Sequence, residues 1–346
     1  MLQEVRTIPI SDIHGSLHTL KICVGDATDL TGLQPPDVIA ISCFPNDYYP
    51  RVGTVVGCLS ARGINVDELS KVKERDWRLN WQTWISKPIN HLGKALRVAC
   101  FEHAGSAVAS EVVGNVFRSA SELALETSQS GFNVLRVPLL STGDQGESKA
   151  LMLEAILEQA YQHLRGGVPI ESIQLVLYDK DPSLYELLFQ VGKILEGISR
   201  EWIQSEAAVT DSYDCFISYR RIDLPYVMKL TEAIKGSKPL VKIYRDQHDL
   251  TTGGYWKQEL IQALQRSRHA ICVITDSYID SVECIDEFHI ALCRMRQKNS
   301  YLIPLINLNQ RDMNTLPRSM RRVNMIPASC PPQNFNEIVS LVSSKI

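Results

Sequence analysis

The sequence predicts an α/β protein with two domains. Two long stretches each alternate short apolar runs, rich in β-branched residues, with helical patterns. A polar connector lies between them, and a length of 346 residues fits two domains of roughly 150 to 200 residues each. We therefore expect an N-terminal domain over residues 1–198, a linker or helical extension over residues 199–212, and a C-terminal domain over residues 213–346.

The N-terminal stretch contains four apolar runs bounded by polar or turn residues, which is typical of strands. They occupy residues 37–44, 95–101, 133–140 and 172–178. Helical patterns cover residues 119–127 and 149–164, and their alternation with the strands favours a mainly parallel, buried sheet. Trp77, Trp81 and Trp84 fall at helical spacing, for which a packed helix face is favoured over a base-stacking surface.

The C-terminal stretch repeats this alternation. Strands are predicted at residues 214–219, 240–244, 270–275 and 301–306, and helices at residues 225–235, 256–266, 281–297 and 335–343. In an open α/β sheet, ligands gather at the carboxyl ends of the strands. Residues that directly follow the predicted strands are therefore the first candidates for a functional site.

Charge and cysteine content narrow the classes of function. Residues 1–205 carry 18 Lys and Arg against 24 Asp and Glu, and the remaining residues carry 18 against 15. This balance argues against a nucleic-acid-binding protein, which usually has a strong basic stripe. The nine cysteines are scattered without C-x-x-C spacing, and several lie in apolar runs, which is typical of free thiols in a reducing compartment.

The sequence also argues against a metal site and against membrane contact. The nearest set of metal ligands is Cys284, His289 and Cys293, but helical spacing spreads these over different faces. The N-terminus lacks a signal-peptide pattern, and no apolar run approaches the roughly 20 residues needed to span a bilayer. We expect a cytoplasmic protein.

The most specific motifs lie in the C-terminal stretch. YDCFISYRR covers residues 213–221, DxxDLxxGxxW covers residues 246–256, and SxxCxxE covers residues 281–287. In this order they resemble the Toll/interleukin-1 receptor (TIR) domain family, and the last resembles the segment with the glutamate of NAD-cleaving members. The resemblance implies a flavodoxin-like fold with a parallel sheet. It also implies cleavage of NAD+, as substrate and without a cofactor, to nicotinamide and ADP-ribose or a cyclic ADP-ribose, in innate immune or antiviral defence.

These motifs are expected to share one rim of the sheet. The guanidinium groups of Arg220 and Arg221 can hold a diphosphate through forked hydrogen bonds, and Tyr219 can stack on a flat ring. The resemblance adds three residues to the substrate-binding set, Phe216, Asp246 and Cys284. Surface ion pairs and ordinary packing remain the alternatives for these side chains.

Glu287 is the candidate catalytic residue. Cleavage of NAD+ passes through an oxocarbenium-like state that a fixed carboxylate can stabilise, and nicotinamide is a good leaving group. Glu287 falls in the second turn of its helix, with Asp280 as the expected N-cap and Glu283 completing a capping box. A Glu early in a helix is more often a solvated residue that the helix dipole favours, so the catalytic role depends on the family resemblance.

Two features of this region concern regulation and specificity. Glu283 stands where many NAD-cleaving TIR domains have Trp, which alters the surface beside the site. The pair Gly253-Gly254 makes the loop of the second motif flexible. This loop is called the BB loop in the TIR family, where it often packs on a neighbouring TIR domain. The resemblance therefore implies self-association through TIR domains, with activity that follows assembly.

A second pattern follows the predicted strand at residues 133–140. PLLSTGDQGESK covers residues 138–149 and places two glycines in a turn before a long helix, where backbone N–H groups can bind phosphate. Together with VGDATDL at residues 24–30 and IQLVLYD at residues 173–179, it resembles the macro domain family, which binds ADP-ribose. The resemblance implies an α/β/α fold and a set of ligand-binding residues: Asp26 on the adenine amine, Ser141, Thr142, Gly143, Asp144 and Gly146 around the diphosphate, and Tyr178 near the base.

The chain departs from the macro pattern in two places. SCFP at residues 42–45 replaces the family's NAAN, and RVGTVVG at residues 51–57 replaces its glycine run. Hydrolytic macro domains use groups in that region, so binding of ADP-ribose or another nucleotide is favoured over its hydrolysis. The combined hypothesis is a sensor of a nucleotide ligand joined to an NAD-cleaving effector. A non-enzymatic TIR adaptor and a macro-type hydrolase are the alternatives.

Overall fold

In the computed structural model of the chain, the described residues are 2–12, 15–31, 34–103, 108–127, 133–208, 212–245, 255–297, 301–328 and 335–346. The chain divides into two compact units, Met1–Ser199 and Arg200–Ile346. None of the described helices combines the length and the apolar character needed to cross a membrane.

The N-terminal unit is built on a nine-stranded mixed sheet. Its strands are β1 (Gln3–Ser11), β2 (Leu17–Val24), β3 (Val38–Cys43), β4 (Lys73–Trp77), β5 (Thr83–Ser86), β6 (Ile89–His91), β7 (Lys94–Glu102), β8 (Val134–Pro138) and β9 (Ser172–Leu177). They are ordered β1-β2-β9-β8-β3-β7-β5-β4, with β6 paired to β7. The five central strands, from β2 to β7 in this order, are parallel, and the outer pairs are antiparallel. The predicted parallel sheet is confirmed at its centre.

Six helices belong to the described part of this region. They are α1 (Val55–Ala61), α2 (Val66–Lys71), α3 (Arg78–Trp81), α4 (Ala109–Thr127), α5 (Lys149–Arg165) and α6 (Leu184–Ala208). Alternate residues of β3, Ile39 and Ile41, pack with α1 and α2 in one core cluster. Helices α4 and α5 pack against each other and contact the sheet. β3 is apolar along nearly its whole length because both of its faces are covered. Residues 199–208 of the expected connector are helical and lie in α6.

The three tryptophans do not share a helix, so the predicted packed helix face is wrong. Trp77 ends β4, Trp81 lies in α3 and Trp84 lies in β5. The left-handed Gln82, with a φ of 53°, ends the single helical turn between the two strands. Trp84 is fully buried, and its Nε1 donates a hydrogen bond to Glu102 at 2.5 Å. The spacing of the tryptophans reflects this strand–turn–strand path and not a helical period.

The C-terminal unit contains a five-stranded sheet in which every neighbouring pair is parallel. Its strands are β10 (Tyr213–Tyr219), β11 (Ile243–Arg245), β12 (Ser267–Thr275), β13 (Leu302–Asn307) and β14 (Ile326–Pro327). Their order is β11-β10-β12-β13-β14, which is the 2-1-3-4-5 order of flavodoxin-like folds. This confirms the predicted fold class of the C-terminal domain.

The described helices of this unit are α7 (Leu224–Ser237), α8 (Tyr255–Arg266), α9 (Asp276–Ile279), α10 (Val282–Gln297), α11 (Arg318–Arg321) and α12 (Phe335–Lys345). Ile217, Ile271 and Ile303 of the central strands pack with Val227 of α7 and Val339 of α12 in one buried cluster. The order of the strands reverses between β10 and β12. A crevice is therefore expected beyond the carboxyl ends of these two strands.

Candidate functional site

The reversal point of the C-terminal sheet gathers residues from two of the predicted motifs. Tyr219 is the last residue of β10, beside Val273 of β12, and Arg220 follows it directly. The turn Arg221–Asp223, a 3₁₀ helix, then leads into α7. β12 ends at Thr275, and α9 and α10 follow it. The first motif therefore ends at the edge of the sheet where the segment that leads to Ser281 begins.

Arg220 is held by the start of α10. Its Nη1 donates a hydrogen bond to Ser281 Oγ at 3.2 Å and lies 4.0 Å from Glu283 Oε2. Ser281 Oγ in turn donates to Glu283 Oε2 at 2.9 Å. The arginine side chain is still 47% exposed, so its guanidinium group keeps donors for a ligand.

The N-cap of α10 differs from the prediction. Ser281 Oγ accepts a hydrogen bond from the backbone N–H of Cys284 at 3.3 Å, which makes Ser281 the capping residue. Asp280, the predicted cap, instead accepts two hydrogen bonds from Arg311 Nη2 at 2.7 and 2.9 Å. Since α10 begins at Val282, Glu287 still falls in its second turn.

Glu287 and Cys284 are both buried, with 8% and 4% of their surface exposed. Burial raises the pKa of the Cys284 thiol well above its usual range, the negative charge of Glu287 adds to this effect, and Arg220 opposes it. A thiol in this state is protonated and is a poor nucleophile. The charges of Glu287 and Arg220 therefore act on the Cys284 thiol in opposite directions.

A buried tyrosine joins α10 to the sheet. Tyr278 Oη donates a hydrogen bond to the carbonyl oxygen of Cys284 at 2.9 Å and lies 2.8 Å from Ser218 Oγ on β10. Burial raises the pKa of Tyr278 well above its usual range, and the charge of Glu287 contributes to the shift. This contact fixes the turn of α10 that carries Glu287 relative to β10.

The other predicted residues have different positions. Phe216 is fully buried and stacks on Tyr244, with ring centroids 5.4 Å apart and planes 11° apart, so it contributes to the core and not to the exposed edge. Arg221 is exposed. Asp246, Gly253 and Gly254 lie outside the described residues. Among the residues that are described, no three His, Cys, Asp or Glu side chains come together as metal ligands.

A carboxylate that sequence reasoning missed lies at the same edge. Asp223 Oδ2 accepts hydrogen bonds from Thr275 Oγ1 at 2.8 Å and from Ser277 Oγ at 3.3 Å. Burial raises the pKa of Asp223, and these two hydrogen bonds oppose the shift. Its position four residues after Tyr219 was a signal, but an Asp before a helix is ordinarily interpreted as an N-cap.

The N-terminal unit contains a cavity of about 330 Å³. Six of the seven predicted ligand-binding residues line it: Asp26, Ser141, Thr142, Gly143, Asp144 and Tyr178. The seventh, Gly146, closes the turn below the cavity, where its φ is 74° and its N–H donates to Gly143 O at 2.9 Å. The volume is within the range of small-molecule sites.

The loop between β8 and α5 is fastened to the neighbouring strands. The N–H of Ser141 donates to Ser42 Oγ at 2.8 Å, and Ser141 Oγ lies 3.1 Å from His103 Nε2. Gln145 Nε2 donates to Cys43 O at 2.9 Å. Ser141 has a φ of 58°, a left-handed conformation that is uncommon for a residue with a side chain and needs such support.

These hydrogen bonds leave several backbone N–H donors of the loop between β8 and α5 free. Within the described part of the chain, the N–H groups of residues 142–145 have no acceptor. They precede α5, whose N-cap Ser148 accepts a hydrogen bond from the N–H of Leu151 at 3.4 Å. Free N–H groups beside a helix N-terminus favour an anion such as a phosphate.

At the other end of the cavity, Asp26 already has hydrogen-bond partners within the protein. Asp26 Oδ1 accepts hydrogen bonds from the N–H and the hydroxyl of Thr28 at 2.8 and 2.7 Å, and its Oδ2 accepts one from Arg62 Nη2 at 2.8 Å. Both oxygens are thus engaged within the protein, and an adenine amine would share an oxygen with one of these donors. Tyr178 is 51% exposed just after β9, where it can cover a base.

Solved structures similar to the N-terminal part include macrodomains. One is the Oceanobacillus iheyensis macrodomain with MES bound, which is 16% identical, covers 57% of this chain and all of its own, and has a TM-score of 0.40. A Trypanosoma brucei macrodomain in complex with ADP is also 16% identical and covers 51% of this chain and 69% of its own, with a TM-score of 0.37.

The C-terminal part is similar to a metazoan TIR-STING receptor from C. gigas, solved in complex with 2',3'-cGAMP. The two are 19% identical, and the match covers 38% of this chain and 39% of the receptor, with a TM-score of 0.31. This chain therefore spans about two fifths of that receptor. Independently, the family model of the TIR domain matches residues 215–339. The matched residues contain most of β10 and all of α10.

Proposed function

We propose that the TIR unit cleaves the bond between nicotinamide and ribose in NAD+, with Glu287 as the catalytic carboxylate. The C–N bond breaks as nicotinamide leaves with the bonding electrons, and water, or a hydroxyl group of the ADP-ribose itself, attacks the ribose carbon and releases a proton. The ribose carbon is positively charged in the transition state. A carboxylate already fixed and shielded from water stabilises that charge without reorganisation.

The observation that carries this proposal is the burial of Glu287 on α10, the helix whose N-cap Ser281 accepts a hydrogen bond from the partly exposed Arg220. A glutamate with 8% exposure does not fit the ordinary solvated position of a residue early in a helix. Arg220 supplies donors for the diphosphate at the same sheet edge, and Tyr219 supplies a ring. Tyr278 fixes the helical turn in between.

The test follows nicotinamide release from NAD+ by the full chain over a range of protein concentrations. Glu287→Gln keeps the size of the side chain and removes its charge, and we expect a loss of rate of roughly 100-fold or more. Glu232→Gln, an exposed position on α7, is the matched control. Thermal melting confirms that each variant folds. A wild-type chain that never releases nicotinamide, or an unchanged rate in Glu287→Gln, would favour the non-enzymatic adaptor.

We also propose that the N-terminal cavity binds ADP-ribose or a closely related nucleotide. The observation that supports it is the gathering of six predicted residues around one cavity with free backbone N–H groups at one side. Calorimetry of the full chain with ADP-ribose tests the proposal, with ribose 5-phosphate as a control that lacks the base. Absence of heat with ADP-ribose at millimolar concentration would refute it.

In the cell we expect this to be a cytoplasmic sensor and effector in defence, in which ligand binding and self-association through TIR domains switch on NAD+ cleavage. NAD+ is an intracellular substrate, and the eight described cysteines form no disulfide bonds. Self-association predicts that the rate per chain rises with protein concentration. A constant specific rate across that range would contradict this part of the proposal.

A further inference from the structure

Arg51 lies on the wall of the N-terminal cavity, in the segment that stands in place of the macro family's glycine run. Its Nη2 donates a hydrogen bond to Asp47 Oδ2 at 2.6 Å. Its Nε lies 3.7 Å from Asp144 Oδ2, on the loop with the free N–H groups. The guanidinium carbon is 5.9 Å from the centre of the Tyr49 ring. Arg51 thus reaches from one wall of the cavity to the phosphate-binding loop.

The backbone of Arg51 is fixed although its side chain is open. The carbonyl oxygen of Arg51 accepts hydrogen bonds from the N–H and the hydroxyl of Thr54 at 3.2 and 2.7 Å. Helix α1 packs so closely on this carbonyl that a Cβ at Gly57 would lie 2.1 Å from its oxygen. The Arg51 side chain is 44% exposed. A fixed backbone with an exposed cationic end suits a group that changes one of its partners when a ligand arrives.

Of the two cations around the cavity, Arg51 has a long contact, to Asp144, in addition to its short one to Asp47. The lining includes four carboxylates, Asp26, Asp47, Asp144 and Asp181, but two cations, Arg51 and Lys149. Lys149 Nζ is held between both oxygens of Asp181, at 2.8 and 2.7 Å. Of these pairs, the contact between Arg51 and Asp144 is the longest and exceeds hydrogen-bond length. It is therefore the pair that a phosphate most easily replaces.

We propose that Arg51 binds the diphosphate of the ligand and exchanges Asp144 for a phosphate oxygen when the ligand enters. The N–H groups of residues 142–145 hold the same diphosphate from the other side. The carboxylate of Asp144 then acts as an internal competitor, because it both pairs with Arg51 and repels the phosphate. This inference rests on the proposed binding of a nucleotide diphosphate in the cavity, and it adds a specificity-determining residue that the macro pattern lacks.

The two partners predict effects of opposite sign. Arg51→Gln removes a charge-assisted hydrogen bond, and we expect roughly 10- to 100-fold weaker binding of ADP-ribose. Asp144→Asn removes the competing charge of an exposed ion pair and keeps the backbone N–H, so binding should become roughly 2- to 5-fold tighter. Lys71→Gln neutralises another exposed, ion-paired cation of the same unit outside the cavity lining, and it should leave binding unchanged.

Calorimetry with ADP-ribose measures the dissociation constant of the wild-type chain and of the three variants, and thermal melting confirms that each variant folds. Tight binding by the wild type, weaker binding by Arg51→Gln and tighter binding by Asp144→Asn support the inference. If the wild type binds and Arg51→Gln binds equally well, the role of Arg51 is refuted while the ligand stands. If both variants weaken binding alike, the pair is structural and the exchange is refuted. If the wild type does not bind ADP-ribose at all, both the proposed ligand and the role of Arg51 are refuted.

Discussion

Replacement of Arg136 tests whether hydrogen bonds from the sheet position the loop that carries Asp26. Arg136 lies on β8 in the centre of the sheet and is fully buried. Its Nη1 donates hydrogen bonds to Ala27 O at 3.1 Å and to Asp29 O at 2.6 Å, and its Nε donates to Gln174 Oε1 at 2.8 Å. These bonds fasten the loop after β2 to the sheet, so Arg136 is a positioning residue for the cavity.

The stability of an Arg136→Met variant follows from two opposing effects. Burial lowers the pKa of Arg136 from its ordinary value to about 10, while nearby acidic groups oppose the shift. A shift of this size corresponds to about 3 kcal/mol against the charged form in the folded state. Met removes this cost but leaves three acceptor oxygens without a donor, at about 1 kcal/mol or more each. We expect the free energy of unfolding to change by less than about 2 kcal/mol, because the two effects nearly cancel.

Binding should respond differently from stability. Without its anchors at Ala27 and Asp29 the loop is free to move, and we expect ADP-ribose to bind about tenfold more weakly in Arg136→Met. Urea unfolding and calorimetry measure the two quantities. Arg136→Lys keeps the charge but lacks the forked donors, so it should be less stable than the Met variant. A loss of more than about 4 kcal/mol in Arg136→Met would refute the estimated cost of the buried charge, and unchanged affinity would refute the anchoring role.

The same reasoning fixes the direction of a pH effect. The folded-state pKa of Arg136 lies below its unfolded value, so the folded state binds fewer protons in the pH window that begins at about 10. The wild type should therefore gain stability relative to Arg136→Met as the pH rises through this window. Comparison of the two proteins at pH 8 and pH 11 isolates this residue from the other groups that titrate there.

Two further changes test the loops at the sheet edges. Ser42→Ala removes the acceptor of the Ser141 N–H, which should cost about 1 kcal/mol or more in the free energy of unfolding and weaken ADP-ribose binding in calorimetry; equal affinity would show that the loop needs no such support. Asp223→Asn removes a carboxylate whose pKa is raised by burial in the folded state. The wild type should be less stable than this variant at pH 7 and should recover relative to it as the pH falls through the raised pKa, as thermal melting at several pH values will show. A difference in melting temperature that does not depend on pH would contradict this.

The parallel strands β8 and β9 could be predicted from the sequence because both of their faces are buried. All residues of β8 and β9 are buried, and most of them are apolar, so each strand gives a short and mainly apolar run in the sequence. β1 could not be predicted in this way, because all but two of its nine residues are exposed. It is held by its antiparallel register with β2 and gives no periodic apolar signal. The short antiparallel strands at the other edge escaped prediction because the tryptophan spacing suggested a helix.

Some residues of the candidate sites could be predicted from the sequence and others could not, for a similar reason. Residues that directly follow a buried strand, such as Ser141 and Tyr219, could be assigned to a sheet edge, because strand direction alone determines where they lie. Pairs that join distant segments could not. Arg62 holds Asp26 across 36 residues, and Arg51 reaches Asp144 from another loop, so tertiary packing alone brings these partners together. The competition between carboxylates and a phosphate became visible only with these contacts.

The two proposed activities are linked by one molecule, since cleavage of NAD+ produces ADP-ribose and the N-terminal cavity is proposed to bind it. If ADP-ribose promotes self-association, linkage requires that self-association raise the affinity for ADP-ribose by the same factor. The dissociation constant for ADP-ribose must then fall as the protein concentration rises through the assembly range. Glu287→Gln allows this measurement in the presence of NAD+ without its cleavage to ADP-ribose. Arg51→Gln should shift the protein concentrations at which assembly occurs only when ADP-ribose is present. A dissociation constant that is independent of protein concentration would mean that the cavity does not control assembly, even if both activities exist.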